Sequence, residues 1–214
     1  MVRIKIRGKK LNCPNRWSEI PDISKLIECS DLRQEIEFMT GASLEGITDD
    51  QIFPLITLTS FVEEFDLPPI ECANVNSESY YKMEEAKKIL KMDGRAYKKL
   101  YFLSKLYHPD RTETVQILST GKNILDHINL FLSAYEDMFS YEPEQDEINA
   151  GIEELSAFSA LATLYNLAGQ DLLKIDQVGN SPAVVVYSVL MYEFKKSEYQ
   201  KRINEIRYPK NGNV

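Results

Sequence analysis

A chain of 214 residues is long enough for one ordinary domain or two small ones, and a chain of that size buries roughly 70–75% of its unfolded surface on folding. With 43% hydrophobic and 27% charged residues it has the balance of a globular protein, not of a disordered tail. The longest apolar run, Ala183 to Met191, is about half of the ~18 residues that a membrane helix needs, so no membrane partner is expected. A net charge of −8 argues against general binding to nucleic acid, because phosphate contacts need a basic face.

The first residues alternate charge with hydrophobe: Val2, Ile4 and Ile6 interleave with Arg3, Lys5 and Arg7. This is the period of a half-buried strand and not of a cleaved export signal, and Gly8 supplies a turn before Leu11 to Cys13 return, so a β-hairpin is predicted. The lone Trp17 follows Pro14-Asn15-Arg16 and stands beside Glu19; it is expected to plug the hairpin against helices, with a binding hot spot as the other reading.

Helical spacing begins at Ile23, after Pro21-Asp22, and runs through Leu26, Ile27, Leu32, Ile36 and Met39 to Gly41, a natural stop. Thr48-Asp49-Asp50 can cap a further segment carrying Ile52, Phe53, Ile56, Phe61 and Val62, although Pro54 and a β-branched run weaken it. The stretch 67–79 opens on Pro68-Pro69, lacks helical periodicity and reads as a linker. It divides an N-terminal hairpin with helices (1–66) from a helical domain (80–214), giving an α+β, predominantly helical fold.

Met83, Ala86, Ile89 and Leu90, then Ala96, Leu100, Leu103 and Leu106, outline one long helix or two, which Pro109 must interrupt. Val115 to Tyr135 gives the next apolar stripe. Residues 144–168 give a third, ended by Gly169, and Asp171 can cap a short segment from Leu172 to Val178. Ser181-Pro182 offers an N-cap with proline at the first helical position, opening a final helix that carries Val185, Val189, Tyr192 and Tyr199.

Reactive groups are sparse. There are two histidines, His108 and His127, and no metalloprotease, nucleophile-elbow or phosphate-loop motif; the nine glycines are dispersed. Paired acids such as Glu84-Glu85 and Glu153-Glu154 read as solvated faces. Cys13, Cys29 and Cys72 are odd in number and never spaced Cys-x-x-Cys, which suggests neither disulfides nor zinc and fits a reducing compartment. No catalytic residue, metal or cofactor is expected, and binding to other proteins is the expected mode of action. The basic N-terminus and the acidic segment from Glu63 to Glu85 read either as solvated faces or as unlike ends that associate head to tail.

One motif is sharper. Ala96-Tyr97-Lys98-Lys99-Leu100, followed by Leu106-Tyr107-His108-Pro109-Asp110-Arg111, resembles the basic helix and His-Pro-Asp loop of J-domain co-chaperones. That resemblance, over about residues 80–140, implies stimulation of an Hsp70-type ATPase through His108, Pro109 and Asp110. The alternative is that Pro109 simply ends a helix.

A wider resemblance rests on Ile4-Lys5-Ile6-Arg7-Gly8-Lys9-Lys10 leading to Trp17-Ser18-Glu19-Ile20, and on three C-terminal stretches: Gly151 to Leu155, Leu167 to Lys174 and Glu198 to Arg202. Together they resemble structural and tail-assembly proteins of tailed bacteriophages of Bacteroidetes-type hosts. The resemblance implies a virion component of tail, baseplate or neck, or an assembly chaperone. It further implies other phage structural proteins, or the chain itself as a ring, as partners, in the virion or in the host cytoplasm during assembly. Arg3, Lys5, Arg7, Trp17 and Glu19 are then the candidate contact residues at the N-terminus.

Overall fold

The computed structural model describes residues 1–6, 9–14, 16–48, 52, 55, 67, 68, 70, 74–140, 143, 145–152, 154 and 158–208. These are predominantly helical, with one antiparallel pair of strands at the start. The chain forms two compact units, each built from two stretches: Met1–Ala73 with Lys88–Asp126, and Asn74–Lys87 with His127–Val214.

In the first unit β1 (Val2–Ile6) pairs with β2 (Lys9–Cys13), Val2 opposite Cys13 and Ile4 opposite Leu11, so the predicted hairpin forms. The predicted turn at Arg7-Gly8 lies outside the described residues. On β2, Leu11 and Cys13 are buried while Asn12 between them is exposed, as the pleat requires. Trp17 sits in a 3-10 turn, Trp17–Glu19, and is buried with its ring centroid 5.7 Å from that of Tyr97. It is a core plug, the first of its two expected roles.

The helical spacing from Ile23 to Met39 resolves into two helices. In α1 (Ile23–Glu28) the backbone N–H of Ser24 donates to Asp22 Oδ1 at 3.0 Å. In α2 (Leu32–Thr40) the N–H of Gln34 donates to Asp31 Oδ1 at 2.9 Å, so a second aspartate cap restarts the helix. Gly41 ends it in the left-handed region, φ 66°, its N–H returning to Glu37 O at 2.9 Å. Of the next expected segment, Ile52 and Leu55 are helical and buried; Asp49, Asp50, Phe53, Pro54 and residues 56–66 lie outside the described residues.

Of the stretch expected as a linker, residues 69 and 71–73 are not described, while Asn74 caps a 3-10 turn, Val75–Ser77, in which Val75 is buried. The lysine-bearing stretch is two helices, α3 (Tyr80–Lys91) and α4 (Ala96–Tyr107), parted by Gly94 at φ 126°. Then comes α5 (Thr114–Ser133). Leu11, Trp17, Ile36, Tyr97, Leu100 and Leu118 belong to one buried cluster, which forms the first unit's core. Within it α5 meets α4 so closely that a Cβ on Gly121 would lie 2.0 Å from the Leu100 carbonyl oxygen.

The second unit holds α6 (Glu136–Phe139), α7 (Gln145–Asn149), α8 (Ser159–Leu167), α9 (Ile175–Gly179) and α10 (Ala183–Arg207). The predicted helix over 144–168 is therefore broken. Gly151 adopts φ 82°, and residues 153 and 155–157 are not described. Asp171 caps a 3-10 turn, Leu172–Lys174, by accepting from Leu173 N at 3.0 Å. Helix α10 starts one residue later than predicted. Pro182 occupies the N-cap, and the Ser181 hydroxyl donates back to Gln177 O at 2.9 Å. The cap is supplied by backbone from elsewhere: Ala183 N donates to Glu78 O at 2.7 Å, and Tyr80 N to Ser181 O at 2.9 Å.

Around that clasp lies an aromatic cluster centred on Tyr187. Its ring meets those of Tyr80, Phe131, Tyr135 and Phe139 at centroid distances of 5.9, 5.1, 5.3 and 6.0 Å. The phenol donates to Glu84 Oε1 at 3.1 Å, and Lys87 Nζ donates to the same oxygen at 2.8 Å. Glu84, read from sequence as solvated, is in fact a half-buried acceptor.

Candidate functional site

The residues singled out in the sequence are spread widely. Arg3 is exposed on β1, opposite Asn12; Lys5 lies in the same strand, opposite Lys10; Arg7 is outside the described residues. Glu19 accepts from the Met1 amino group at 2.6 Å and from Arg16 Nε at 3.3 Å, so its carboxylate is already engaged in a local ion cluster. Of the contact candidates whose burial is described, Arg3 is exposed, while Trp17 is committed to the core.

His108 is the C-cap of α4, its backbone N–H donating to Ser104 O at 2.7 Å. Pro109 and Asp110 form an exposed turn behind it. Lys105 Nζ straps this turn by donating to the carbonyls of Pro109, at 3.2 Å, and Arg111. Other lysines of the basic helix also bond backbone: Lys98 donates to Cys29 O at 3.0 Å and Lys99 to Leu90 O at 2.9 Å. His108 falls in the first unit, and His127 is exposed in the second.

Among the described residues the most enclosed charged cluster is at Glu35 on α2, which is 4% exposed. Tyr97 Oη donates to its Oε1 at 2.8 Å, Arg95 Nε stands 3.2 Å from Oε2, and Lys98 Nζ 3.8 Å from Oε1. Burial, then the hydrogen bond to the carboxylate, pushes the Tyr97 phenol well above its ordinary range, so it stays a donor. The arrangement fastens α2 to α4; Oε2 accepts no hydrogen bond and has the Arg95 ion pair as its charge partner. Glu35→Gln keeps an acceptor for Tyr97 but removes the charge facing two cations, and is expected to cost about 2 kcal/mol. The urea midpoint followed by Trp17 fluorescence reads this directly.

Burial also raises the Cys13 and Cys29 thiols, which holds them protonated and makes them poor nucleophiles; Cys72 is not described. Among the described residues no three His, Cys, Asp or Glu side chains stand together as metal ligands, and no helix is long and apolar enough to cross a membrane. A surface groove of about 900 Å³ beside α10 is lined by groups including Asp137, Lys195 and Arg202.

What the second unit does present is apolar surface. The α10 residues singled out in the sequence, Val185, Val189, Tyr192 and Tyr199, are all exposed; the helix buries Ala183, Val186 and Tyr187. Val184, Val185, Val189 and Tyr192, with Ser188, line a shallow apolar groove. Leu172 and Leu173 are also exposed, Leu173 at 92%. Contiguous apolar surface of this kind is uncommon unless another molecule covers it. The periodicity of α10 was visible in the sequence, but not which side faced outward.

Comparison with family models, with curated proteins and with solved structures finds no match. The functional reading of the chain therefore stands on its own residues.

Proposed function

We propose that this chain acts by binding other proteins, as a structural component of a tailed-phage particle or as a factor that assembles one. The observation that carries the binding part is the exposed apolar face of α10. The phage assignment rests on the likeness of the N-terminal hairpin and the C-terminal segments to tail-assembly proteins. The reactive groups support a binding role in a second way: the buried carboxylate at Glu35 is neutralised by ion pairs to Arg95 and Lys98 and accepts from Tyr97, and burial raises the two described thiols.

Co-expression with the proteins encoded beside its gene, followed by size-exclusion light scattering, tests the reading. Co-elution with a tail, neck or baseplate protein is the expected result. A strict monomer that retains none of them overturns it.

A second reading keeps the His-Pro-Asp turn as a co-chaperone contact, favoured by the exposure of Pro109 and Asp110 at the end of α4. On this reading the chain accelerates ATP hydrolysis by an Hsp70-type protein and His108→Gln does not. Equal steady-state rates with wild type and variant remove it.

A further inference from the structure

Helix α10 spans 25 residues, roughly 37 Å, yet beyond Tyr187 none of its residues is buried. Its exposed side is ordered. Val185, Tyr192, Tyr199 and Ile206 recur every seventh residue and are 52%, 64%, 57% and 75% exposed. Four residues after the first three of them come Val189, Lys196 and Ile203, of which Val189 and Lys196 are exposed and Ile203 partly so. This alternation of four and three is the a/d pattern of a coiled coil, with the first set at d and the second at a. The helix thus carries two apolar faces: a short one at Ala183, Val186 and Tyr187 turned to its own unit, and a longer one left to solvent.

We propose that this seam docks an amphipathic helix of a partner protein whose facing positions are acidic. The charge along the seam selects that occupant. Positions beside it hold Lys195, Arg202 and Arg207 against Glu193, and Lys196 stands within it, its Nζ 5.8 Å from the centre of the Tyr192 ring. A second copy of the chain fits poorly in either direction. Parallel pairing sets Lys196 against Lys196 and Arg202 against Arg207; antiparallel pairing sets Lys195 against Arg202. A carboxylate opposite Lys196, with acids along both flanks, satisfies every one of these cations.

The existing pairs are cheap to exchange. Lys196 holds Glu193 on its own helix at 3.1 Å and Lys195 holds Asp137 at 2.7 Å, all with largely exposed side chains. The apolar layers supply the burial that a helix of this length needs to be firm in water. The proposal rests on the reading of the chain as a protein-binding protein and names the chemistry of the partner.

The test uses the full-length chain and two designed peptides of about four heptads, with Leu and Ile at a and d. One carries Glu opposite Lys196 and at the flanking positions; its twin carries Lys there. Fluorescence anisotropy is expected to show the acidic peptide binding at least about tenfold more tightly. Lys196→Glu narrows or reverses the preference, and Tyr199→Asp abolishes binding while circular dichroism stays unchanged. Equal affinity for both peptides, or none for either, overturns the proposal. So does a wild-type dimer that Tyr199→Asp makes monomeric, since that gives the seam to a second copy. A neighbouring-gene protein retained equally by wild type and Tyr199→Asp sinks the seam and leaves protein binding standing; one retained by neither removes the broader reading.

Discussion

Gly121→Ala is expected to destabilise the first unit by about 3 kcal/mol or more, the upper end for overpacking. The added Cβ would stand 2.0 Å from Leu100 O, 2.6 Å from its carbonyl carbon and 2.8 Å from its Cα. All three are backbone atoms inside α4, so no side-chain rotation relieves the clash and the two helices must separate. The gain from alanine's better helix propensity, about 1 kcal/mol, is too small to compensate. Trp17 reports the result, because it packs on Tyr97, in the same helix as Leu100. A urea midpoint unchanged from wild type would refute the close approach. Gly179 makes a useful contrast: its Cβ would meet the Tyr81 ring at 2.2 Å, but a side chain can swing aside, at the cost of its 2.9 Å bond to Asp176. Gly179→Ala is therefore expected to lose only about 1 kcal/mol.

The second large effect is at Tyr187, where truncation to alanine is expected to cost about 3–5 kcal/mol, as for other large buried aromatics. The ring is almost wholly buried and touches four other aromatic rings, so the cavity opens among partners on several helices. Tyr187→Phe isolates the hydroxyl. It keeps the ring contacts and leaves Glu84 with Lys87, for a loss of about 1 kcal/mol at neutral pH.

The same variant predicts a change at high pH. Burial, and then the nearby Glu84 charge, raises the Tyr187 phenol above its ordinary value of 10.0, and the same two causes raise Tyr80. Below pH 10 both phenols are protonated, folded or unfolded, and stability does not depend on them. Above it the unfolded chain releases protons that the folded one retains, so stability falls as pH rises. Each phenol contributes about 1.4 kcal/mol per pH unit to that fall. Tyr187→Phe removes one share, and near-UV circular dichroism melts at pH 9 and 11 read the difference. An alkaline slope equal to wild type would show that the phenol is not held protonated.

Local chemistry made the helix ends legible. Asp22, Gly41, Pro109 and Asp171 act through the backbone beside them, and each stands at the boundary that its residue type implies. The hairpin was legible for the same reason, since its register follows from a two-residue period. Non-local features were not. Nothing beside Gly121 tells that Leu100 lies against it, and nothing near Tyr187 announces the four rings around it. The expected helix over 144–168 overlooked Gly151, whose positive φ interrupts an otherwise apolar pattern. On α10 the periodicity was real, but two apolar faces share one helix, and a stripe in sequence does not say which of them is inside. The candidate contact residues were drawn toward charge and rarity, which is why Trp17 was among them; the face now proposed consists mostly of ordinary valines, tyrosines and isoleucines.

The interleaving of the two units governs how the chain is made. The first unit lacks α4 and most of α5 until Asp126 has left the ribosome, although its hairpin is synthesised at the outset. Asn74–Lys87, the opening piece of the second unit, emerges before that and must wait for Ala183 and Tyr187 to pair with Glu78 and Glu84. Neither unit is a contiguous length of polypeptide. A fragment cut at residue 80 retains Tyr187 and its rings but loses the Glu78 carbonyl that receives the first amide of α10. Nascent chains halted once Asp126 has cleared the ribosome should resist protease across the hairpin and α2 while remaining cleavable through Asn74–Lys87.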